Sequence, residues 1–178
     1  MKLSTLGIDN LHLPRWEEFP PFELYIDQVI SFVNEQLAPF NHDSEPLLTP
    51  SMINNYVKNG VLPAPVKKKY NRDHLAKLIV ICVGKRMLSL TDLADAISLM
   101  TRRFQVDEGY NLLCDEIEYE VFSTFSPEKY PIRTIESADS RELATFRALA
   151  SAVAKLLVFD RMAEQRRRMR RIMENISK

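Results

Sequence analysis

Ser51, Asn54, Asn55 and Lys58 recur at spacings that place them on one face of a helix, at 100° per residue. Met52, Ile53, Tyr56 and Val57 fall on the opposite, apolar face. The polar face contains no carboxylate. Asparagine can pair with N6 and N7 of adenine in a major groove, while serine and lysine suit phosphates or base edges. A solvated helix face accounts for the same four residues equally well. Lys67, Lys68 and Lys69 follow shortly, then Tyr70, Arg72 and Lys77. A lysine triplet between helices is more often a solvated loop than a contact. Beside a carboxylate-free helix, however, it makes a basic module that suits phosphates, with Tyr70 available for packing or stacking.

The elements that must hold these residues are punctuated clearly. Thr49 is placed to cap the helix 50–59, Pro50 sits at its first position, and Gly60 ends it. Pro63 and Pro65 then break the chain, and Pro63 to Tyr70 suits a small hairpin or loop. Asn71 can cap a helix through the block Leu75 to Val83, which is apolar nearly all round and belongs at the centre of a core. Ser89 with Asp92 makes a capping-box start for a helix with Leu90, Leu93, Ile97 and Met100 on one face.

Upstream, Pro14, Pro20 and Pro21 mark residues 12–22 as an extended lead-in. From Phe22, the residues Tyr25, Ile26, Val29, Phe32, Val33 and Leu37 recur at helical spacing until Pro39. Asn41, Asp43, Ser44 and Pro46 read as a polar loop. Downstream, Tyr110, Leu113, Cys114, Ile117, Val121 and Phe122 form a helical stripe. Asp115, Glu116, Glu118 and Glu120 surround it and read as a solvated face. Pro127 and Pro131 bound a loop. From about Ser137 neither proline nor glycine interrupts the chain, and Leu143, Phe146, Ala150, Val153 and Leu157 continue one stripe, extended by Met162, Met169, Ile172 and Ile176. A continuous helix there would be about 55 Å long.

The 178 residues are 46% apolar and 27% charged, an ordinary globular composition. The longest apolar run, Leu78 to Val83, is far short of the roughly 20 residues of a membrane helix. No signal-peptide pattern precedes Trp16. Four glycines argue against phosphate-cradling loops and many-stranded folds. The net charge of zero hides segregation. Residues 49–91 carry 8 basic side chains and 1 acidic, whereas residues 1–48 carry 2 basic and 8 acidic. Residues 92–160 return to an acidic excess, and the terminal stretch is basic again. Such segregation suits a polyanion-facing patch.

Other chemistry finds little support. His12, His42 and His74 lack metal-ligand spacing, and His74 reads as a surface or capping residue. No catalytic arrangement of Ser, Cys and His is recognisable. Cys82 and Cys114 fall among apolar residues and read as inert core thiols. The expectation is no enzyme, no cofactor, no metal and a cytoplasmic setting. The arginines 166–168, 170 and 171 could clamp DNA phosphates, touch an anionic membrane surface or solvate a dimer helix.

Thr49-Pro50-Ser51-Met52-Ile53-Asn54-Asn55-Tyr56-Val57-Lys58-Asn59-Gly60-Val61-Leu62-Pro63 resembles the second helix of MerR-type winged-helix regulators, S-P-x-T-L-R-Y-Y-E-x-x-G-L-L-x-P. Tyr70 to Leu78 is similar to the Y-x-x-x-D-L-x-x-L that follows their wing, and Leu88 to Leu93 to their S-L-x-E-I helix start. With Leu13-Pro14-Arg15-Trp16 and Tyr56 to Tyr70, the whole chain looks like a bacterial domain-of-unknown-function family related to those regulators. The resemblance implies an all-α, mainly helical winged helix-turn-helix over residues 12–101. A helical dimerisation or effector region would follow over 102–178, ending in a long helix.

It further implies a DNA-binding transcriptional regulator. Ser51, Asn54, Asn55 and Lys58 would face duplex DNA, Lys67, Lys68 and Lys69 would form the basic wing within 66–70, and Arg72 would anchor phosphate. Residues 137–176 would make a homodimer, and a pocket for a small-molecule effector could lie among residues 102–135. Departures are visible. The pattern's arginine is Asn54 here and its first tyrosine Asn55, while the wing is short and lacks a Gly-Tyr-Arg tip. No cysteine cluster offers a soft-metal site. Asn54 is the best support for an alternative, a protein-interaction module on a winged-helix scaffold that has lost DNA binding.

Overall fold

The computed structural model describes residues 6–41, 46–135 and 138–176. His42, Asp43, Ser44 and Ser137 lie outside these, as do the side chains of Met100 and Ile176. The fold is mostly helical with one small sheet. In chain order it comprises β1 (Leu24–Tyr25), α1 (Ile26–Gln36), α2 (Pro50–Lys58), β2 (Lys69–Tyr70), α3 (Arg72–Gly84), α4 (Leu90–Arg103), α5 (Val106–Phe125) and α6 (Arg141–Ile176).

The expected helix from Phe22 begins only at Ile26. Pro20 and Pro21 hold the preceding chain extended, and Leu24–Tyr25 pairs antiparallel with β2, Leu24 opposite Tyr70 and Tyr25 opposite Lys69. Leu24 and Tyr70 are both buried, so this register places an apolar pair under the sheet. Gln28 then marks the helix start by accepting the Tyr25 amide at 2.9 Å. The expected lead-in is extended apart from a short 3-10 turn, Trp16–Glu18.

Helix punctuation follows the residue types. The Thr49 hydroxyl accepts the Met52 amide at 3.3 Å at the start of α2. At its end Gly60 takes φ +71°, and the Gly60 and Val61 amides donate to the Val57 and Tyr56 carbonyls at 3.1 and 3.0 Å. This is a Schellman closure, which needs the left-handed residue that glycine supplies. Asn71 caps α3 by accepting the His74 amide at 3.2 Å. Ser89 and Asp92 form the reciprocal cap of α4.

Ten residues of α3 are buried, as its all-round apolar pattern demands, and the other elements pack about it. Gly84, at its end, faces Leu93, whose Cδ2 would stand 2.6 Å from any added Cβ. The start of α4 therefore packs directly on the α3 backbone. Phe19 lies between Trp16, Phe32 and Tyr110 at ring-centroid distances of 5.2–5.9 Å. The main core runs without a break across residue 101, since Tyr110, Leu113, Phe146 and Val153 share it with Ile53, Leu75 and Ile79. α6 is continuous for 36 residues, about 54 Å at 1.5 Å per residue. No helix among the described residues is long and apolar enough to cross a membrane.

Candidate nucleic-acid interface

Ile53 and Tyr56 anchor α2 in the core, which turns Ser51, Asn54, Asn55 and Lys58 outward, all four exposed. The helix axis thus brings the expected polar face to the surface as one carboxylate-free strip. Asn55 is engaged locally. Asn59 Nδ2 donates to its carbonyl at 2.8 Å and to its Oδ1 at 2.9 Å.

The basic segment forms a tight hairpin. Val66 and Lys69 exchange backbone hydrogen bonds at 3.1 and 2.9 Å, and Lys67 and Lys68 occupy the two central positions with φ of +49° and +65°. A two-residue turn with positive φ at both centres normally takes Asn-Gly, because side chains there meet the following carbonyl. Left-handed backbone costs an ordinary residue about 1–2 kcal/mol. Two lysines held there mark the tip as a place where charge is kept at the expense of local stability.

Lys69, Tyr25 and Val66 stand in one cross-strand row on the outer face of this sheet. The Lys69 ammonium lies 5.7 Å from the Tyr25 ring centroid, and Tyr25 and Val66 are exposed. Tyr25 was hidden from the sequence pattern by its helical spacing with Val29 and Phe32. The usable signal was the short apolar pair Leu24–Tyr25 close behind Pro20 and Pro21, which hold the chain extended.

Arg72, Tyr70 and His74 are engaged within the scaffold. Arg72 donates to the Phe19 and Pro20 carbonyls at 3.0 and 3.3 Å, so its guanidinium ties the lead-in to α3. Tyr70 is a core residue, stacked edge-on against His74 at 5.3 Å, and burial raises its phenol pKa. His74 is buried, not a surface residue. Its Nδ1 accepts the Asn71 amide at 3.2 Å, completing the α3 cap. Burial holds its pKa below the ordinary imidazole value. The nearby Pro63 and Ala64 carbonyls oppose this only in part, since Nε2 closes no hydrogen bond.

Of the acidic residues expected on a solvated face, Asp115 is exposed, whereas Glu116 and Glu118 are turned into the protein. Glu118 accepts the Leu13 amide at 2.6 Å and both terminal nitrogens of Arg15 at 2.8 Å, and Asp115 takes a further bond from Arg15. Tyr110 donates its hydroxyl to the Pro14 carbonyl at 2.7 Å, and Asn111 accepts the Trp16 amide at 2.9 Å. Leu13-Pro14-Arg15-Trp16 is thus the strap that α5 clasps. Glu116 is 3% exposed and held by Arg133 at 3.0 Å and Arg147 at 3.6 Å. Periodicity gave no sign that Asp115 and Glu118 had a partner about 100 residues away in Arg15, or that Glu116 was held by Arg133 and Arg147.

Cys82 and Cys114 are buried, and burial pushes their thiols up to about 11 and about 12. Among the described residues no group of three or more His, Cys, Asp and Glu is arranged to hold a metal ion. A groove of about 670 Å³ opens between α4 and α6, and of residues 102–135 only Arg102 lines it.

The family model described as a domain of unknown function, DUF1836, matches residues 14–121, and the chain belongs to that family. The match begins within the strap and ends in α5, so it takes in the strap's clasp, the α2 face and the hairpin. No curated protein and no solved structure matches the chain.

Proposed function

We propose that this chain is a DNA-binding transcriptional regulator related to the MerR-type winged-helix proteins, acting as a homodimer through α6. The observation that carries the reading is the hairpin. Three consecutive lysines project from a strand–helix–helix–hairpin unit, two of them in left-handed backbone that lysine does not favour. Beside it in the chain, α2 offers an exposed polar face without a carboxylate, suited to a major groove. Lys67 and Lys68 would then meet phosphates, Lys69 and Tyr25 would lie along the backbone, and Ser51, Asn54, Asn55 and Lys58 would face base edges.

A second reading, a protein-interaction module on the same scaffold, is favoured by two observations. Arg72 is committed to carbonyls within the chain, and Asn55 Oδ1 is already taken by Asn59. Fluorescence anisotropy against random duplex DNA at about 50 and 200 mM salt separates the readings, because phosphate contacts make affinity fall steeply with salt. Salt-dependent binding followed by selection of an inverted repeat supports the regulator. No binding at the lower salt removes it and leaves the interaction module.

A further inference from the structure

We propose that the groove between α4 and α6 binds a short apolar peptide with free ends, its amino terminus held at Asp95 and its carboxylate at Arg102. This site is separate from the α2 face and the hairpin, and it does not depend on DNA binding.

α4 and α6 run antiparallel along this groove. Phe104 meets Phe146 at one end, with ring centroids 5.6 Å apart, and Arg86 pairs with Asp160 beyond the other. Leu88, Leu99 and Leu149 are half-buried in its lining, so the space of about 670 Å³ is apolar within yet open to solvent. That size falls in the range of roughly 300–1,000 Å³ typical of ligand sites. Charge is confined to the α4 side. Asp92, Asp95, Leu99 and Arg102 follow i, i+3, i+7 and i+10 spacing along α4, whereas the four lining residues of α6 carry no charge.

Asp92 is engaged in the α4 cap, where its carboxylate accepts the Ser89 hydroxyl at 2.7 Å. Asp95 and Arg102 are exposed, and neither has an ion-pair or side-chain hydrogen-bond partner among the described residues. Seven residues of helix separate them by about 10.5 Å. The groove therefore offers an anion towards one end, a cation at the other and apolar walls between. A zwitterion with an apolar body matches that order. An extended chain advances roughly 3.3–3.6 Å per residue, so three residues set a terminal amine and carboxylate about 10 Å apart. Aliphatic side chains would then lie between Leu99 and Leu149. The open side leaves the peptide groups in water, which spares their desolvation, and Ser98 in the lining offers a hydroxyl to one of them. A fatty acid or an alkyl amine would answer only one of the two charges.

Calorimetric titration of the chain with tri-leucine tests this, with N-acetyl-tri-leucine and tri-leucine amide as matched probes. Tri-leucine is expected to saturate below about 1 mM, and each blocked probe to bind about threefold more weakly. Asp95→Asn should weaken tri-leucine about threefold and leave N-acetyl-tri-leucine unchanged. Arg102→Gln should likewise weaken tri-leucine and leave the amide unchanged. Both positions are exposed, so neither change threatens the fold, and a general disturbance of the groove would weaken every probe alike. No binding to the wild type, equal binding of the blocked probes, or an equal loss for all probes in either variant overturns the proposal. If tri-leucine is inert and Leu99→Glu turns a dimeric protein monomeric by light scattering, a second copy fills the groove and the proposal falls.

Discussion

Arg15 and Glu118 stand 103 residues apart and meet through two parallel hydrogen bonds of 2.8 Å, Nη1 to Oε1 and Nη2 to Oε2. The guanidinium also reaches Asp115 and the Leu13 carbonyl, and Glu118 also accepts the Leu13 amide. Neither charge is fully solvated, with side-chain exposures of 21% and 13%. The pair closes the strap over α5, where Phe19 enters the core.

Removing one partner leaves the other charge desolvated and the strap amide without its acceptor. Fully buried pairs broken this way lose about 3–5 kcal/mol. For a pair with this much solvent access, Arg15→Ala and Glu118→Ala are each expected to lose about 2 kcal/mol. The double variant should lose less than the sum. A double-mutant cycle by urea unfolding checks this, and additive losses would show that the two residues act apart.

Local signals were legible in the sequence wherever they act over a few residues. Thr49, Pro50 and Gly60 bounded α2 because capping and Schellman closure involve only neighbouring backbone. The apolar block from Leu75 identified α3 as central. Pro63 to Tyr70 reads in the sequence as a short basic hairpin or loop, but its pairing with Leu24–Tyr25 is not legible there. That sheet depends on a strand 45 residues upstream whose spacing also fits a helix. The acidic residues of α5 misled for a related reason. A carboxylate's partner is set by tertiary contact, so Glu116 and Glu118 looked like solvated positions. Arg72 adjoined the lysines in sequence, yet the fold turns it toward the Phe19 carbonyl.

His74 gives stability a pH dependence with a definite sign. Its folded pKa is lowered, chiefly by burial, against an unfolded value near 6.5. Between the two values the unfolded chain binds the extra proton, so stability falls as pH drops through that window and levels off below the folded pKa. His74→Gln retains an acceptor for the Asn71 amide without titrating. It is expected to flatten the fall in stability that begins as pH drops below about 6.5 in urea melts. Glu18, whose pKa is lowered chiefly by the Arg15 amide, is unchanged in the variant and contributes equally to both profiles. An unchanged slope in the variant would assign the pH dependence to another group.

Both native thiols should be silent. Cys82 and Cys114 are buried, with pKa values raised to about 11 and about 12, and the thiolate is the reacting form. Ellman's reagent at neutral pH is expected to label neither in the folded protein and both in denaturant. Rapid labelling of one thiol in the native state would reopen a redox role.

The hairpin tip offers the sharpest test because two readouts should move in opposite directions. Lys67→Asn with Lys68→Gly installs the pair that a two-residue turn with positive φ prefers. Relief of left-handed strain at two positions should raise stability by about 1 kcal/mol, the gain being reduced by glycine's greater freedom in the unfolded chain. The same change removes two cations that would meet phosphates. Each lost phosphate contact lowers the slope of log affinity against log salt by about 0.9. The variant is therefore expected to melt higher and bind duplex DNA more weakly, with the salt slope reduced by about 1.8. Higher stability with unchanged affinity would leave the strained lysines without a nucleic-acid role. Lower stability would instead mean that the lysine side chains hold the turn, and the strain argument would fail with it.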